Sequence, residues 1–546
     1  MKIRNWLLIG VLVLAAFLRL WNLASVPPHL TPDEAALGYN AYSILKTGRD
    51  EYGQLLPVIF KSFGDYKPGL YVYLTVPSVA VFGLNEFAVR FPSALAGVFV
   101  VYLVYLVSNL LFKEKRISLI SAFVMAITPW GIYFSRGAWE VNLSLSLTLA
   151  GIYFFFKSLE REKYLYLSAL FFSLTLTSYQ GAKLSTGIVL LILLLLYFKK
   201  LIRFGKKNLA VALIVGLVIS APILLSLFRG QTGRLTIFSI FSYPRPREYT
   251  QAFLDEGGEK FNTLTYYLFH SETLNFKRGI LGRWFNHFSG RFLFFEGDWP
   301  NPRHSAPYQG MLLLSDLVLL IVGFVALIRK GLSKETAFVW LWLILAPMPA
   351  ALSRDAVHAV RAMNMVVPLV FLLVFGFNAI ISQRRKILKY SFFGVYVLAF
   401  IYFLDAYFIH VPKHNSKYWE YGYKQIVETV TPIQKNYKTI KVQQSFAQPY
   451  IYFLFHQRYD PAKYQKQASL KESEYKGDVG YVTKLGNIEF APIDWSVVRG
   501  EHGTLFVADT IRIPPEDSKD ESLFKEIAEI KYLNGLDTAF RIIEVK

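Results

Sequence analysis

Eleven apolar segments, near residues 5–23, 93–112, 117–135, 141–157, 164–180, 184–199, 208–228, 311–328, 336–352, 364–381 and 388–409, punctuate a chain of 546 residues. Each is long enough to cross the hydrocarbon of a bilayer as a helix, and a backbone in lipid must satisfy its own polar groups. The pattern therefore commits the chain to a polytopic α-helical membrane protein. Its composition, 53% hydrophobic and 16% aromatic, is more apolar than a soluble chain of this length can bury. The net charge of +20 does not mark a nucleic-acid binder, because Lys and Arg fall in short clusters between apolar runs and form no continuous stripe. With no cysteine, disulfides and thiolate metal sites are excluded.

Those basic clusters set the topology. Residues 113–116, 157–163, 199–207, 329–330 and 383–386 all fall on the side of Lys2 and Arg4 if the eleven segments span, as retention of Lys and Arg in the cytoplasm requires. The N-terminus then reads as an uncleaved signal anchor. The run 69–83 would flip every later loop if it spanned. Its brevity, with Pro68, Gly69 and Pro77, predicts a re-entrant or interfacial segment.

The cytoplasmic loops are too short for a nucleotide-binding domain and carry no phosphate-cradling glycine loop. Polar mass lies on the outer face: a first outer loop over 24–92, a large outer loop over 229–310, and a tail over 410–546 following the membrane module of 1–409. Helical spacing over 418–434 and alternation over 439–443, 503–513 and 538–545 predict that the tail is an extracytoplasmic α/β domain.

Charges at these outer boundaries are the candidates for chemistry, since ionised groups beside a bilayer are costly and are retained for use. Asp33 and Glu34 follow the first segment; one can cap the helix that starts there while its neighbour faces a cavity. Asp65 and Lys67 precede Pro68, and Lys67 reads as a phosphate-facing ammonium or an anchor, whereas Lys61 reads as an interfacial anchor. Arg136 and Glu140 share a tight outer loop and either pair with each other or join a common site. If the stretch after Ser353 begins a helix, Arg354, His358 and Arg361 lie on one face, suited to a phosphate or alternatively to anionic lipid headgroups. Arg303 and His304 close the large outer loop and add possible contacts, and the aromatic tract at 266–269 with Trp284 and Phe285 predicts an interface-lying amphipathic segment. His270, His287 and His304 show no spacing typical of a zinc site.

The acidic pair Asp33-Glu34 after the first span, a long first outer loop, Asp65-Tyr66-Lys67-Pro68 before a short apolar run, short-looped spans and a soluble tail together resemble the GT-C membrane glycosyltransferases. The resemblance is to the bacterial branch similar to dolichyl-phosphate-mannose protein mannosyltransferases and to the lipid A aminoarabinose transferase. Here Ala35-Ala36 and Gly69 stand where members often carry an arginine and a second proline. The resemblance implies a sugar carried on a polyprenyl phosphate, passed with inversion to a hydroxyl of a protein, lipid or cell-wall acceptor. It gives Asp33 the role of general base and Glu34 that of positioning the acceptor or a divalent cation. Lys67, Arg136, His358 and Arg361 would meet the departing phosphate. A transporter or flippase would also use charges in a membrane cavity, but the odd number of spans and the appended tail speak against it.

Overall fold

The computed structural model describes residues 2–228, 238–445, 447–472 and 479–546. The first residues of the expected large outer loop, 229–237, lie outside that set. All eleven apolar segments are helical. They correspond to α1 (Lys2–Leu20), α4 (Glu86–Phe112), α5 (Lys115–Ile127) with α6 (Pro129–Tyr133), α7 (Glu140–Ser158), α8 (Tyr164–Ser178), α9 (Ala182–Leu201) and α10 (Lys206–Phe228), then helices Asp316–Arg329, Lys334–Leu345, Val366–Ile381 and Lys386–Asp405. Among the described residues six helices are long and apolar enough to cross a membrane, and Asn5–Leu20, Leu70–Phe82 and Tyr164–Ser178 are shorter apolar helices. The third predicted segment is split because Pro129 cannot continue α5 and instead starts a new turn at the first helical position.

Between the first span and α4 lie α2 (Pro32–Thr47), a hairpin of β1 (Ile59–Ser62) and β2 (Asp65–Pro68), and α3 (Leu70–Phe82), the short apolar run expected not to span. Small residues let the bundle close without the hydrophobic drive that water supplies. A methyl added at Gly323 would stand 1.9 Å from the Leu372 carbonyl oxygen, and one at Gly376 2.1 Å from that of Leu319. The helices 316–329 and 366–381 thus meet backbone to backbone.

The tail forms a six-stranded sheet whose strands, in order across it, are Lys484–Leu485, Ile488–Ala491, Thr439–Gln443, Thr504–Ala508, Thr538–Val545 and Phe524–Lys531. The strand Thr439–Gln443 is parallel to both of its neighbours, and the other pairings in the sheet are antiparallel. Helix Tyr423–Ile433 replaces the longer expected one.

This domain sits on the first outer loop and shares a core with α2 and α3. Tyr452 Oη donates to the Leu30 carbonyl at 3.1 Å, the Lys424 N–H donates to His29 Nε2 at 3.1 Å, and Gln465 reaches Ser43, Thr47 and the Asp50 carbonyl. Lys61 pairs with Glu472 of the tail at 2.8 Å, so it ties the two parts together instead of anchoring to lipid.

One expectation fails outright. Residues 353–362 form no helix; the next turn begins at Met363. The Ala359 N–H donates to Asp298 Oδ2 at 2.7 Å and the His358 N–H to His287 Nε2 at 3.1 Å, so side chains of the large outer loop claim the donors that a helix would use. Arg354, His358 and Arg361 consequently share no helical face.

Candidate active site

Thr31 caps α2 through a capping box. Its side chain accepts from the Glu34 N–H at 3.2 Å, and its own N–H donates to Glu34 Oε2 at 2.9 Å. The geometry turns the two acids opposite ways. Glu34 is buried and saturated: Arg90 Nε donates to Oε1 at 3.0 Å and the Ala138 N–H donates to the same oxygen at 2.8 Å. Arg90, fully buried, spends its remaining donors on the carbonyls of Leu23, Pro27 and His29. Glu34 therefore fastens α2 to α4 and to the loop before α7.

Asp33 keeps a side chain 65% exposed and pairs with the Lys67 ammonium, which β2 brings across from the hairpin. Burial works against the Lys67 charge, but Asp33, Glu140 and Asp65 together hold its pKa above the usual lysine value. Glu140, at the first position of α7, completes this group, and one of its carboxylate oxygens is buried with no hydrogen-bond partner among the described residues. The sequence candidates Asp33, Asp65, Lys67 and Glu140 thus converge.

Beside them opens a cavity of about 560 Å³ lined by Asp65, Tyr179, Gln180, Lys183, Phe238, Ser353 and Arg361. Arg361 pairs with Asp355 at 2.8 Å and stacks its guanidinium 4.5 Å from the Phe238 ring centre. On the near wall Gln180 Nε2 donates to the Tyr66 carbonyl, and Lys183 Nζ donates to Gln180 Oε1 at 2.8 Å, linking the α8–α9 turn to the β1–β2 hairpin. Lys183 also lines a second space of about 620 Å³ between α8, α9 and α10, walled almost entirely by apolar side chains such as Leu190, Leu194, Phe198, Leu213 and Leu217.

Other candidates lie elsewhere. Arg136 is fully buried, donates to the carbonyls of Leu18, Asn22 and Val26, and lies 4.7 Å from the Phe408 ring centre. It braces α1 against the last span and does not reach the cavity. Arg354 donates to Tyr243 Oη at 3.1 Å in a separate outer groove that both line. Arg303 sits on the turn Pro302–His304, while His304 is buried with Nδ1 2.7 Å from Asp298 Oδ2.

Three groups with metal-ligand chemistry meet, and of the histidines weighed by spacing only His304 is among them. Side-chain atoms of Asp298, His304 and His358 lie within 4.8 Å of one another. Asp298 already accepts from Asn301, from Ala359 and through its contact with His304. Burial first, then Arg361, His304 and His287, push His358 well below the ordinary histidine pKa, which leaves neutral imidazole, the ligating form.

Residues 66–225, which run from the hairpin through α10, match the model of the dolichyl-phosphate-mannose-protein mannosyltransferase family. A relative is YkcB of Bacillus subtilis (strain 168), provisionally named a mannosyltransferase, 29% identical over 168 residues. That match spans 30% of this chain and 22% of YkcB. Across the full length, ArnT from Cupriavidus metallidurans bound to undecaprenyl phosphate superposes with a TM-score of 0.56, covering 98% of this chain and 97% of that one at 12% identity. This is the GT-C fold. ArnT in the apo state gives 0.54 over 100% of this chain and 98% of its own, at 11% identity. The resemblance drawn from the sequence is borne out, and GT-C architecture accounts for a multi-pass membrane bundle that ends in a sheet domain.

Proposed function

We propose that the chain is a membrane glycosyltransferase that takes a sugar from a polyprenyl-phosphate donor and passes it to an acceptor hydroxyl at the extracytoplasmic face, with inversion. The observation that carries this reading is the joined pair of spaces. An apolar groove suited to an isoprenoid tail meets, at Lys183, a second cavity that carries Asp65 and Arg361 in its wall, and Asp65 lies on the hairpin strand that presents Lys67 to Asp33. ArnT, with the same fold, binds undecaprenyl phosphate, and the mannosyltransferase model matches the segment that lines the apolar groove, Lys183 included. The outer-face assignment rests on the basic loops.

In this reading the donor phosphate competes with Asp33 for Lys67. Released from that ion pair, Asp33 recovers strength as a base and removes the proton of the acceptor hydroxyl. The acceptor oxygen attacks the anomeric carbon from the face opposite the phosphate, and the bond from carbon to phosphate oxygen breaks with its electrons going to the phosphate. Lys67, Lys183 and Arg361 meet the charge that develops there. Glu34 contributes by holding Asp33 in register. If a divalent cation takes part, Asp298, His304 and His358 are its candidate seat among the described residues.

Asp33→Asn keeps size and capping geometry but cannot accept the proton. Transfer from a radiolabelled polyprenyl-phosphate sugar to membrane acceptors is expected to fall by about 10²- to 10⁴-fold with unchanged membrane insertion. Full activity in that variant overturns the assignment of Asp33 as the base.

A further inference from the structure

We propose that Lys183 is the residue that seats the phosphate of the lipid carrier and so fixes how far the carrier enters the bundle. This rests on the glycosyltransferase reading above. Lys183 lines both the apolar groove and the cavity that holds Asp65 and Arg361. A lipid whose tail fills the groove between α8, α9 and α10 must bring its phosphate to the groove's polar end, and that is where this ammonium stands.

Three further features favour an anion at that point. The first is the position of Lys183 near the start of α9, a helix of 20 residues. Cations are unfavourable at a helix N-terminus because the helix dipole is positive there, so a lysine in the first turn adds its charge to a field that already attracts anions.

The second is donor supply. An ammonium has three N–H donors, and Gln180 Oε1, a neutral amide oxygen, takes one at 2.8 Å. The negative group in electrostatic reach is Asp65, across the cavity lining.

The third is connection. Gln180, which holds Lys183, also donates to the Tyr66 carbonyl on β2, one residue from Lys67. A phosphate on Lys183 is therefore placed in register with the hairpin that presents Lys67 to Asp33. Lys183 acts as a positioning residue for the sugar that the phosphate carries.

The test uses the full chain in phosphatidylcholine nanodiscs and measures binding of three probes: undecaprenyl phosphate, undecaprenol with the same tail but no phosphate, and inorganic phosphate. Lys183→Gln is expected to weaken undecaprenyl phosphate by about ten- to a hundredfold, the range of one lost charge-assisted contact. Lys183→Arg retains most of the affinity, and undecaprenol binds wild type and both variants alike.

Undiminished binding of the lipid phosphate by Lys183→Gln overturns the proposal. So does equal loss of both lipids, which would make Lys183 part of the groove's packing, and so does displacement of the lipid by millimolar inorganic phosphate, which would make the site one for free anions. A wild-type chain that binds undecaprenyl phosphate no better than undecaprenol brings down the glycosyltransferase reading itself, a result distinct from failure of Lys183 alone.

Discussion

Asp33 and Glu34 are chain neighbours with opposite surroundings. The second and third positions of a helix point about 100° apart, so when Glu34 turns inward to close the capping box and take Arg90, Asp33 is left turned outward to Lys67. Truncating Glu34 to Ala would leave the Arg90 guanidinium buried without its counter-charge. We expect Glu34→Ala to cost about 3–5 kcal/mol, seen as a drop in thermal midpoint and in yield of folded protein, before any effect on chemistry can be read. A midpoint equal to wild type would show that the three backbone carbonyls around Arg90 suffice.

At this scale the sequence reveals charge but not partnership. Asp33, Asp65, Lys67 and Glu140 are visible because ionised groups beside apolar segments are rare. The Arg90–Glu34 pair bridges 56 positions and sits inside an otherwise apolar helix, so no local pattern announces it. Arg136 looks from the sequence like a site residue for the same reason that Asp33 does, but three carbonyl acceptors and two aromatic rings have enclosed it.

Elements were legible where apolar length decides them. All eleven segments are helices, and the short run after Pro68 is a 13-residue helix. Spacing misled at 354–361, where a coincidental three-and-four pattern lies in a stretch pinned by Asp298 and His287. Lys183 escaped notice because a lysine at the start of a span resembles every other interfacial lysine; only the packing of α8 against α9 and α10 shows two spaces meeting there.

The contact between the loop carrying His29 and the tail also depends on pH. His29 Nδ1 lies 2.7 Å from the Leu30 carbonyl oxygen, and Nε2 accepts the Lys424 N–H, so the neutral ring is the one this contact uses. Burial, then the charges of His456 and Arg90, hold His29 down at about 3. Burial and Lys424 hold His456 at about 4. Both folded values lie below the unfolded value near 6.5, so the unfolded chain binds protons first as pH falls. The stabilisation is present in full above about 6.5 and is lost on acidification toward 4 and then 3. Thermal midpoints in detergent are expected to be level above pH 7 and to decline below 6.5, with a shallower decline in His29→Asn. An identical decline in that variant removes His29 as a source.

For the molecule as a whole, the proposed topology puts the basic loops and the sheet domain on opposite faces of the membrane. The loop at 113–116 carries three cations, whereas the tail rests on the first outer loop through Tyr452, Lys424 and Gln465. Membrane-impermeant labelling of cysteines introduced after Lys115 and after Lys546 should therefore report opposite faces. Labelling from the same face would contradict an odd number of crossings and the outward-facing site with it.

Asp65, two residues before the lysine that pairs with Asp33, lines a cavity of about 560 Å³, space enough to admit water before any sugar arrives. A carboxylate able to activate an acceptor hydroxyl can activate a solvent molecule equally well, and the result would be wasteful hydrolysis of the carrier. In the proposed mechanism the carboxylate stays paired until a phosphate draws the ammonium away, so the pair would act as a safety catch, and fidelity to the acceptor would begin with the order in which two small charges part.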